Sequence, residues 1–192
     1  MGKKTLRLVT LAILLALVIV LQMVGSYLHI GPVSISLVLI PIVVGAVLLG
    51  PWAGALLGFA FGLVTVIAGL TGADGFTQIL LQAQPVLTVA ICLVKATAAG
   101  LCAGLVFRPL GKKHPYFGVF SAAATAPIVN TGIFIAGGFL LASTLRQFIP
   151  EGRNLVWFLV IACAGVNFLV EFGLNLLLAP AIYRVIRAVN KG

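Results

Sequence analysis

A lysine lies near the middle of one apolar run of this sequence. The run VLTVAICLVKATAAGLCAGL, from Val86 to Leu105, is apolar enough to enter a bilayer, yet it contains Lys95. Lys95 follows the start of the run by about nine residues, which corresponds to roughly 14 Å along a helix at 1.5 Å per residue. That depth is too great for snorkelling to the nearer membrane surface to explain the position of the ammonium group. We therefore expect Lys95 to face water, a solute or an acidic partner.

Three polar residues of another apolar run share one stripe of a helix. The run AGVNFLVEFGLNLLL places Asn167, Glu171 and Asn175 four residues apart, a spacing that puts side chains on one helical face. A charged side chain inside a membrane costs at least ~2.5 kcal/mol on insertion scales, so such residues are expected to face one another or water. Asn175 lies deepest in the run and is expected to form a hydrogen bond between helices.

A third run, ATAPIVNTGIF, places Asn130 and Thr131 just beyond Pro127. A proline inside a helix removes a main-chain donor and kinks the helix, and in membrane helices the freed carbonyl groups line cavities. Two hypotheses account for the polar residues. In one, Lys95 and Glu171 form a buried ion pair that holds the helices in register. In the other, the residues line a polar cavity that receives a solute from outside.

The composition identifies the elements that position these residues as membrane helices. Of the 192 residues, 62% are hydrophobic and only 8% are charged, whereas soluble domains have about 25% charged residues. The apolar runs reach about 20 residues, the length that a helix needs to cross a hydrocarbon core of about 30 Å. The sequence therefore predicts an all-α integral membrane protein.

Six apolar segments predict six transmembrane helices within a single membrane domain, residues 1–192. The segments are Thr5–Tyr27, Ser34–Leu49, Trp52–Leu70, Val86–Phe107, Phe117–Ser143 and Leu155–Tyr183. The first follows a basic start like that of a signal peptide, but its apolar core is long and no clear small-residue cleavage site follows it. We expect it to be a retained helix.

The basic residues lie mostly on one side of the predicted helices. Six spans place both termini on the same side, which collects nine basic residues and no acidic ones. These basic residues are Lys3, Lys4, Arg7, Arg108, Lys112, Lys113, Arg184, Arg187 and Lys191. Basic residues mark the cytoplasmic side of a membrane protein, so both termini are predicted to be cytoplasmic and the protein to lie in the cell (plasma) membrane. The net charge of +9 is then a signal of orientation, and no nucleic-acid partner is expected.

Glycines in the third segment predict a close helix contact. Gly50, Gly54, Gly58 and Gly62 are spaced four apart, so on a helix they form a groove that another backbone can approach. We expect the groove to be filled from within the chain, with an interface to another subunit as the alternative.

Side-chain amides precede the fourth segment. The predicted outer loop Thr71–Pro85 contains Gln82 and Gln84 together with two glycines, Gly72 and Gly75. Flexibility and amide groups suit a lid that closes on a polar ligand. A plain solvated connector is the alternative.

The sequence resembles the substrate-binding S component of an energy-coupling factor (ECF) transporter. The resemblance is carried by Ala12 and Ala16 in the first helix, SLVLIPIVVGAVLLGPWAGALLGFAFG across helices two and three, and APIVNTGIF in the fifth. It covers essentially the whole chain. It implies a membrane subunit that captures a vitamin or related micronutrient on the outer side and delivers it through a membrane-embedded coupling subunit, powered by two cytoplasmic ATPase subunits. Ala12 and Ala16 would contact the coupling subunit, and the ligand pocket would fall around Lys95, Asn130 and Asn167.

The sequence carries no motif for catalysis or for nucleotide binding. It contains no HExxH, GxSxG or GxxxxGK[ST] pattern, so we expect no enzyme activity and no cofactor in this chain, with ATP used only by partner subunits. The cysteines Cys92, Cys102 and Cys163 lie in apolar runs and are interpreted as packing residues rather than as a disulfide or a metal site.

A stand-alone proton-coupled secondary carrier with Glu171 as its proton site is the alternative function from another class. Such carriers usually show inverted repeats, and residues 1–95 and 96–192 show no convincing one.

The charge of Lys95 bears on the substrate. A desolvated ammonium group gains most from a compensating anion, so Lys95 favours a ligand with a carboxylate. The presumed pocket segments are poor in aromatic residues, which disfavours a large stacked ring such as a flavin. Pantothenate, which is small, polar and anionic, fits best. If Glu171 neutralises Lys95, a neutral ligand such as riboflavin or another micronutrient becomes the alternative.

Overall fold

The structure is a computed structural model that describes residues 2–27, 29–30, 33–34 and 37–190, apart from the side chains of Lys3, of the residues at 29–30 and 33–34, and of those at 189–190. The described elements are α1 (Lys3–Gly25), β1 (His29–Ile30), β2 (Val33–Ser34), α2 (Leu39–Leu48), α3 (Pro51–Thr71), α4 (Gly75–Ala83), α5 (Pro85–Lys113), α6 (Pro115–Leu140), α7 (Ala142–Leu145), a 3-10 turn (Arg146–Phe148), α8 (Leu155–Trp157), a π-helical segment (Phe158–Gly165) and α9 (Val166–Asn190). The two strands form a short antiparallel hairpin with His29 opposite Ser34.

Within the part of the chain that the structure describes, five helical stretches are long and apolar enough to cross a membrane. They are Lys4–Gly25, Pro51–Thr71, Pro85–Lys113, Pro115–Leu140 and Leu155–Ala188. Apart from the two-residue strands β1 and β2, the described elements are helical, which confirms the predicted all-α membrane fold. The last stretch is continuous but changes from α to π geometry over Phe158–Gly165, an irregularity that is frequent at functional sites.

The second predicted segment, Ser34–Leu49, differs from expectation. Its helix α2 comprises only the ten residues Leu39–Leu48, about 15 Å at 1.5 Å per residue, which is half of a hydrocarbon core. The helix is nevertheless central, since Leu39, Ile42 and Val43 are completely buried. Only the stripe of Ile40, Val44 and Leu48 is partly exposed, as expected of an apolar helix packed mostly inside the domain. Six full spans and cytoplasmic termini therefore stay predictions.

Proline occupies the first turn of three of the long helices. Pro51, Pro85 and Pro115 each occupy the first turn of a long helix, where a fixed φ suits the helix and the missing N–H is not needed. Pro127, expected to kink its segment, lies buried within a helix α6 that continues to Leu140.

The glycine groove of α3 is filled by α5 of the same chain. A Cβ atom added at Gly54, Gly58 or Gly62 would clash with the main-chain carbonyl oxygens of Gly100, Ala96 and Cys92 in turn; for Gly62 the separation would be 2.6 Å. Such close approach is possible only without side chains on the α3 face. The expectation of packing within the chain is confirmed for these three glycines, whereas Gly50 precedes α3 and a Cβ atom there would meet nothing within 4 Å. The contact fixes the height of α5, and with it of Lys95, against α3.

Candidate functional site

One cavity collects polar residues from most of the long helices. It has about 70 Å³ of space for the centres of water-sized spheres, enough for several waters at about 10–15 Å³ each. Five of the predicted site residues line it, namely Lys95 from α5, Asn130 and Thr131 from α6, and Asn167 and Glu171 from α9. Residues that are far apart in the sequence thus meet at one place, which we call the central cavity.

Lys95 is half-buried and lies against an aromatic ring. Its Nζ atom is 5.3 Å from the ring centroid of Phe134 on α6, a cation–π contact of the kind that contributes about 0.5–1 kcal/mol when exposed and about 2 kcal/mol when desolvated. The contact holds the ammonium group at the cavity wall between α5 and α6. The ion pair of Lys95 with Glu171 stays a prediction, although both residues line the same cavity.

Asn130 presents a buried acceptor to the central cavity. The residue is 6% exposed, and its side-chain oxygen Oδ1 accepts no hydrogen bond from the part of the chain that the structure describes. A buried polar atom without a partner costs about 1–3 kcal/mol. A donor from a bound molecule would remove that cost, so Asn130 is suited to ligand binding.

The α9 stripe divides between the cavity and its own helix. Glu171 is 3% exposed and lines the cavity with Asn167. Asn175 does not line it; its side-chain amide Nδ2 donates to the carbonyl oxygen of Glu171 at 2.8 Å. The predicted bond of Asn175 between helices is therefore replaced by a bond within α9, because the side chain reaches the preceding turn of its own helix.

Asp74 is a cavity residue that sequence reasoning assigned to an outer loop. It is 4% exposed and caps α4, with its carboxylate accepting from the N–H of Thr77 at 3.1 Å and from the Thr77 hydroxyl at 2.9 Å. Both residues line the central cavity. The sequence did carry a signal for the cap, since aspartate is a favoured residue at a helix N-terminus, but none for its position at the cavity.

A second missed residue is Gln22 of α1. It is 2% exposed, lines the cavity, and donates from Nε2 to the hydroxyl of Thr65 on α3 at 3.1 Å. An isolated glutamine in an otherwise apolar membrane helix indicates such an inward position. The bond ties α1 to α3 at the cavity wall.

The cysteines and aromatic residues add to the lining. Cys92 and Cys163 are free, buried and face the central cavity, whereas Cys102 does not line it. Among the described residues, no group of three or more His, Cys, Asp or Glu side chains could hold a metal ion. Phe61 and Phe76 join Phe134 at the cavity, so the site has more aromatic surface than the sequence suggested.

Gln82 and Gln84 lie outside the central cavity. Gln82 is exposed, and the Gln84 amide Nε2 donates to the Ser143 hydroxyl at 2.9 Å. The inward face of α4 is formed instead by Phe76, Thr77 and Leu80, at helical spacing. Gln84 thus links the start of α5 to α7, away from the lining.

Ala12 and Ala16 lie on the outer face of α1. Both are exposed, while Leu14, Val18 and Gln22 turn inward. A pair of small residues on an exposed membrane-helix face leaves room for another helix to approach. The fold therefore leaves this face accessible.

Comparison with known proteins gives one family match. The model of the family described as "ECF transporter, substrate-specific component" matches residues 6–183. No curated protein matches the chain at the significance required.

Proposed function

This chain belongs to the family of substrate-specific components of ECF transporters, and we propose that it captures pantothenate on the outer side of the cell membrane. Members of this family are substrate-binding subunits of transporters, and we propose no enzyme activity and no cofactor for the chain. The observation that carries the proposal is the central cavity, where polar residues of α5, α6 and α9 converge inside a membrane domain. Polar side chains at that depth raise the free energy of the protein unless they bind one another or a solute.

The polar groups of the cavity complement pantothenate. This vitamin has a carboxylate at one end, hydroxyl groups at the other and an amide between them. Lys95 supplies the cation for the carboxylate, and Asp74 and Glu171 supply acceptors for the hydroxyl groups. The Oδ1 atom of Asn130 is an acceptor for the amide N–H. The hydrogen bonds made by Lys95, Asp74 and Glu171 would be charge-assisted, and such bonds are about twice as strong as neutral ones.

Riboflavin is the second candidate, and one observation favours it. Phe61, Phe76 and Phe134 all line the central cavity, and aromatic side chains stack on flat ring systems. Pantothenate remains our first choice because its carboxylate can pair with Lys95 while its hydroxyl groups donate to Asp74 and Glu171, which line the same cavity.

Delivery into the cell is proposed to need partner subunits. A membrane-embedded coupling subunit would dock on α1 at Ala12 and Ala16, and two cytoplasmic ATPase subunits would hydrolyse ATP. The exposure of both alanines supports this proposal. The alternative is a stand-alone carrier in which the buried Glu171 binds a proton.

Native mass spectrometry of the purified chain, followed by calorimetric titration, tests the proposal. We expect a tight one-to-one complex with pantothenate, and no uptake when the chain alone is reconstituted in liposomes with a proton gradient. Tight binding of riboflavin but not pantothenate would replace the substrate and keep the capture function. Proton-driven uptake by the chain alone would overturn the capture function in favour of the carrier.

A further inference from the structure

A groove between the start of α3 and the end of α5 carries three cations. Arg7, Arg108 and Lys112 line it, and all three are exposed. The Nη2 atom of Arg7 donates to the main-chain carbonyl oxygen of Leu49 at 2.9 Å, which fixes the guanidinium group at the groove. We call this surface, lined by these three residues together with Leu101, Trp52 and Leu105, the basic groove.

The chain offers the basic groove no acidic partner. It has three acidic residues in all, each of them described by the structure. Asp74 and Glu171 line the central cavity, and Glu151 lies in the loop after the 3-10 turn, beside Arg153. An anionic group at the groove would therefore have to come from outside the chain, and the three cations attract one.

The groove changes from apolar to basic along α5. Leu101, Leu105, Arg108 and Lys112 are spaced four, three and four residues apart, which places them on one helical stripe. Since α5 has 29 residues, it is about 43 Å long at 1.5 Å per residue. Its basic end therefore extends beyond a hydrocarbon core of about 30 Å and reaches the headgroup level.

Trp52 marks the same level on the other wall. It stands in the first turn of α3 and is 82% exposed, as is typical of tryptophans at the membrane–water boundary. The floor between the walls is tight, because a Cβ atom on Gly104 would lie 2.5 Å from Cα of Pro51. The groove is thus apolar at the end lined by Leu101 and Leu105 and basic at the end lined by Arg108 and Lys112.

We propose that the basic groove binds one anionic phospholipid. Its acyl chains lie along Leu101 and Leu105, and its phosphodiester accepts hydrogen bonds from Arg7, Arg108 and Lys112. Guanidinium groups favour phosphate because their N–H donors match its oxygens in pairs. A basic pocket between membrane helices at the headgroup level is the form that anionic lipid sites take. The proposal does not depend on the vitamin that the central cavity binds.

The test compares two lipids that differ only in their headgroups. The purified full chain is titrated in detergent with phosphatidylglycerol or phosphatidylcholine with identical acyl chains, and native mass spectrometry gives the affinity of the one-to-one complex. The variant Arg7→Gln/Arg108→Gln/Lys112→Gln removes the groove cations. The matched control Lys113→Gln/Arg184→Gln/Arg187→Gln removes three exposed cations that do not line the groove.

We expect phosphatidylglycerol to bind more tightly than phosphatidylcholine to the unmodified chain and to the control. The groove variant should lose affinity for phosphatidylglycerol on the order of 100-fold, because each cation near an anionic headgroup contributes roughly fivefold. Equal affinity for both lipids, or an equal loss in the control, would overturn the proposal. So would displacement of the lipid by glycerol 3-phosphate at low concentration, which would indicate a site for a water-soluble anion. Loss of binding to a coupling subunit with lipid affinity unchanged would assign the groove to a protein partner instead.

Discussion

Gly58 of α3 packs directly against the main chain of Ala96 on α5, the residue next to Lys95. A Cβ atom at Gly58 would clash with the carbonyl group of Ala96. This contact sets the position of the cavity lysine through backbone packing alone, because neither residue has a side chain that could adjust. The binding site and the helix interface are therefore mechanically linked.

Replacing Gly58 with valine should therefore lower both stability and ligand affinity. Overpacking costs typically 1–3 kcal/mol, and we expect about 3 kcal/mol here because the opposing atoms belong to a backbone. Thermal unfolding in detergent and calorimetric titration with pantothenate measure the two effects. Gly173→Val on α9 is the control, since a Cβ atom there meets nothing within 4 Å. Equal melting temperatures for the two variants would contradict the predicted role of the contact.

Lys95→Met should weaken pantothenate binding while the chain stays folded. The variant loses a hydrogen bond to a charged group, which contributes about 1.5–3 kcal/mol, so the dissociation constant should rise about 10- to 100-fold. Titration and thermal unfolding are measured on the same preparation, with Lys113→Met as the control outside the cavity.

The same variant separates the two hypotheses for Lys95. If Lys95 instead forms a structural ion pair with Glu171, removing one partner leaves a buried charge and costs about 3–5 kcal/mol of stability. Glu171→Gln combined with Lys95→Met would then recover much of that loss. Such recovery, with ligand affinity unchanged, would refute a ligand contact at Lys95.

Asn130→Leu should stabilise the ligand-free chain and weaken binding. The substitution removes an acceptor that has no donor among the described residues, which relieves on the order of 1 kcal/mol. The melting temperature without ligand should rise, while the increase on adding pantothenate should shrink. Asn175→Leu serves as the control because Asn175 does not line the central cavity. If both variants bind pantothenate equally well, Asn130 is not a ligand contact.

Ala12→Trp/Ala16→Trp should prevent assembly with the coupling subunit and leave ligand binding intact. Both alanines are exposed on α1, so the fold accommodates the larger side chains, but an approaching helix cannot pack closely. Co-purification with the coupling subunit and vitamin uptake in cells measure assembly and transport. Ile128→Trp on α6, at another exposed apolar position, is the control. Normal uptake by the double variant would refute the docking site.

The helical period allowed much of the central cavity to be predicted. Asn167 and Glu171 share a stripe because they are four residues apart, and Asn130 and Thr131 adjoin Pro127 in any packing of α6. Insertion cost then required these residues and Lys95 to turn away from lipid. The structure brings all five to one cavity. Whether they bind a vitamin stays a prediction.

The loops could not be predicted in the same way. Asp74 enters the cavity while Gln82 and Gln84 stay outside it, because α4 packs with Phe76, Thr77 and Leu80 inward. The sequence alone is interpreted as a loop here, whereas on a helix it places Gln78 and Gln82 on the face opposite Phe76 and Leu80. The sequence marks Asp74 as a helix cap but not as a buried residue, because the burial of a cap depends on where its helix packs.

The sequence by itself determined the membrane class, the long apolar helices, the resemblance to S components and the polar stripes, because composition and helical period are local properties. Only the tertiary structure decided that α2 is a short buried helix, that Gln22 and Asp74 join Lys95 at one cavity, and that Ala12 and Ala16 stay exposed. These features depend on how helices pack against one another. Close contacts such as that of Gly62 with Cys92 set helix separation and height, and separation and height decide which side chains meet.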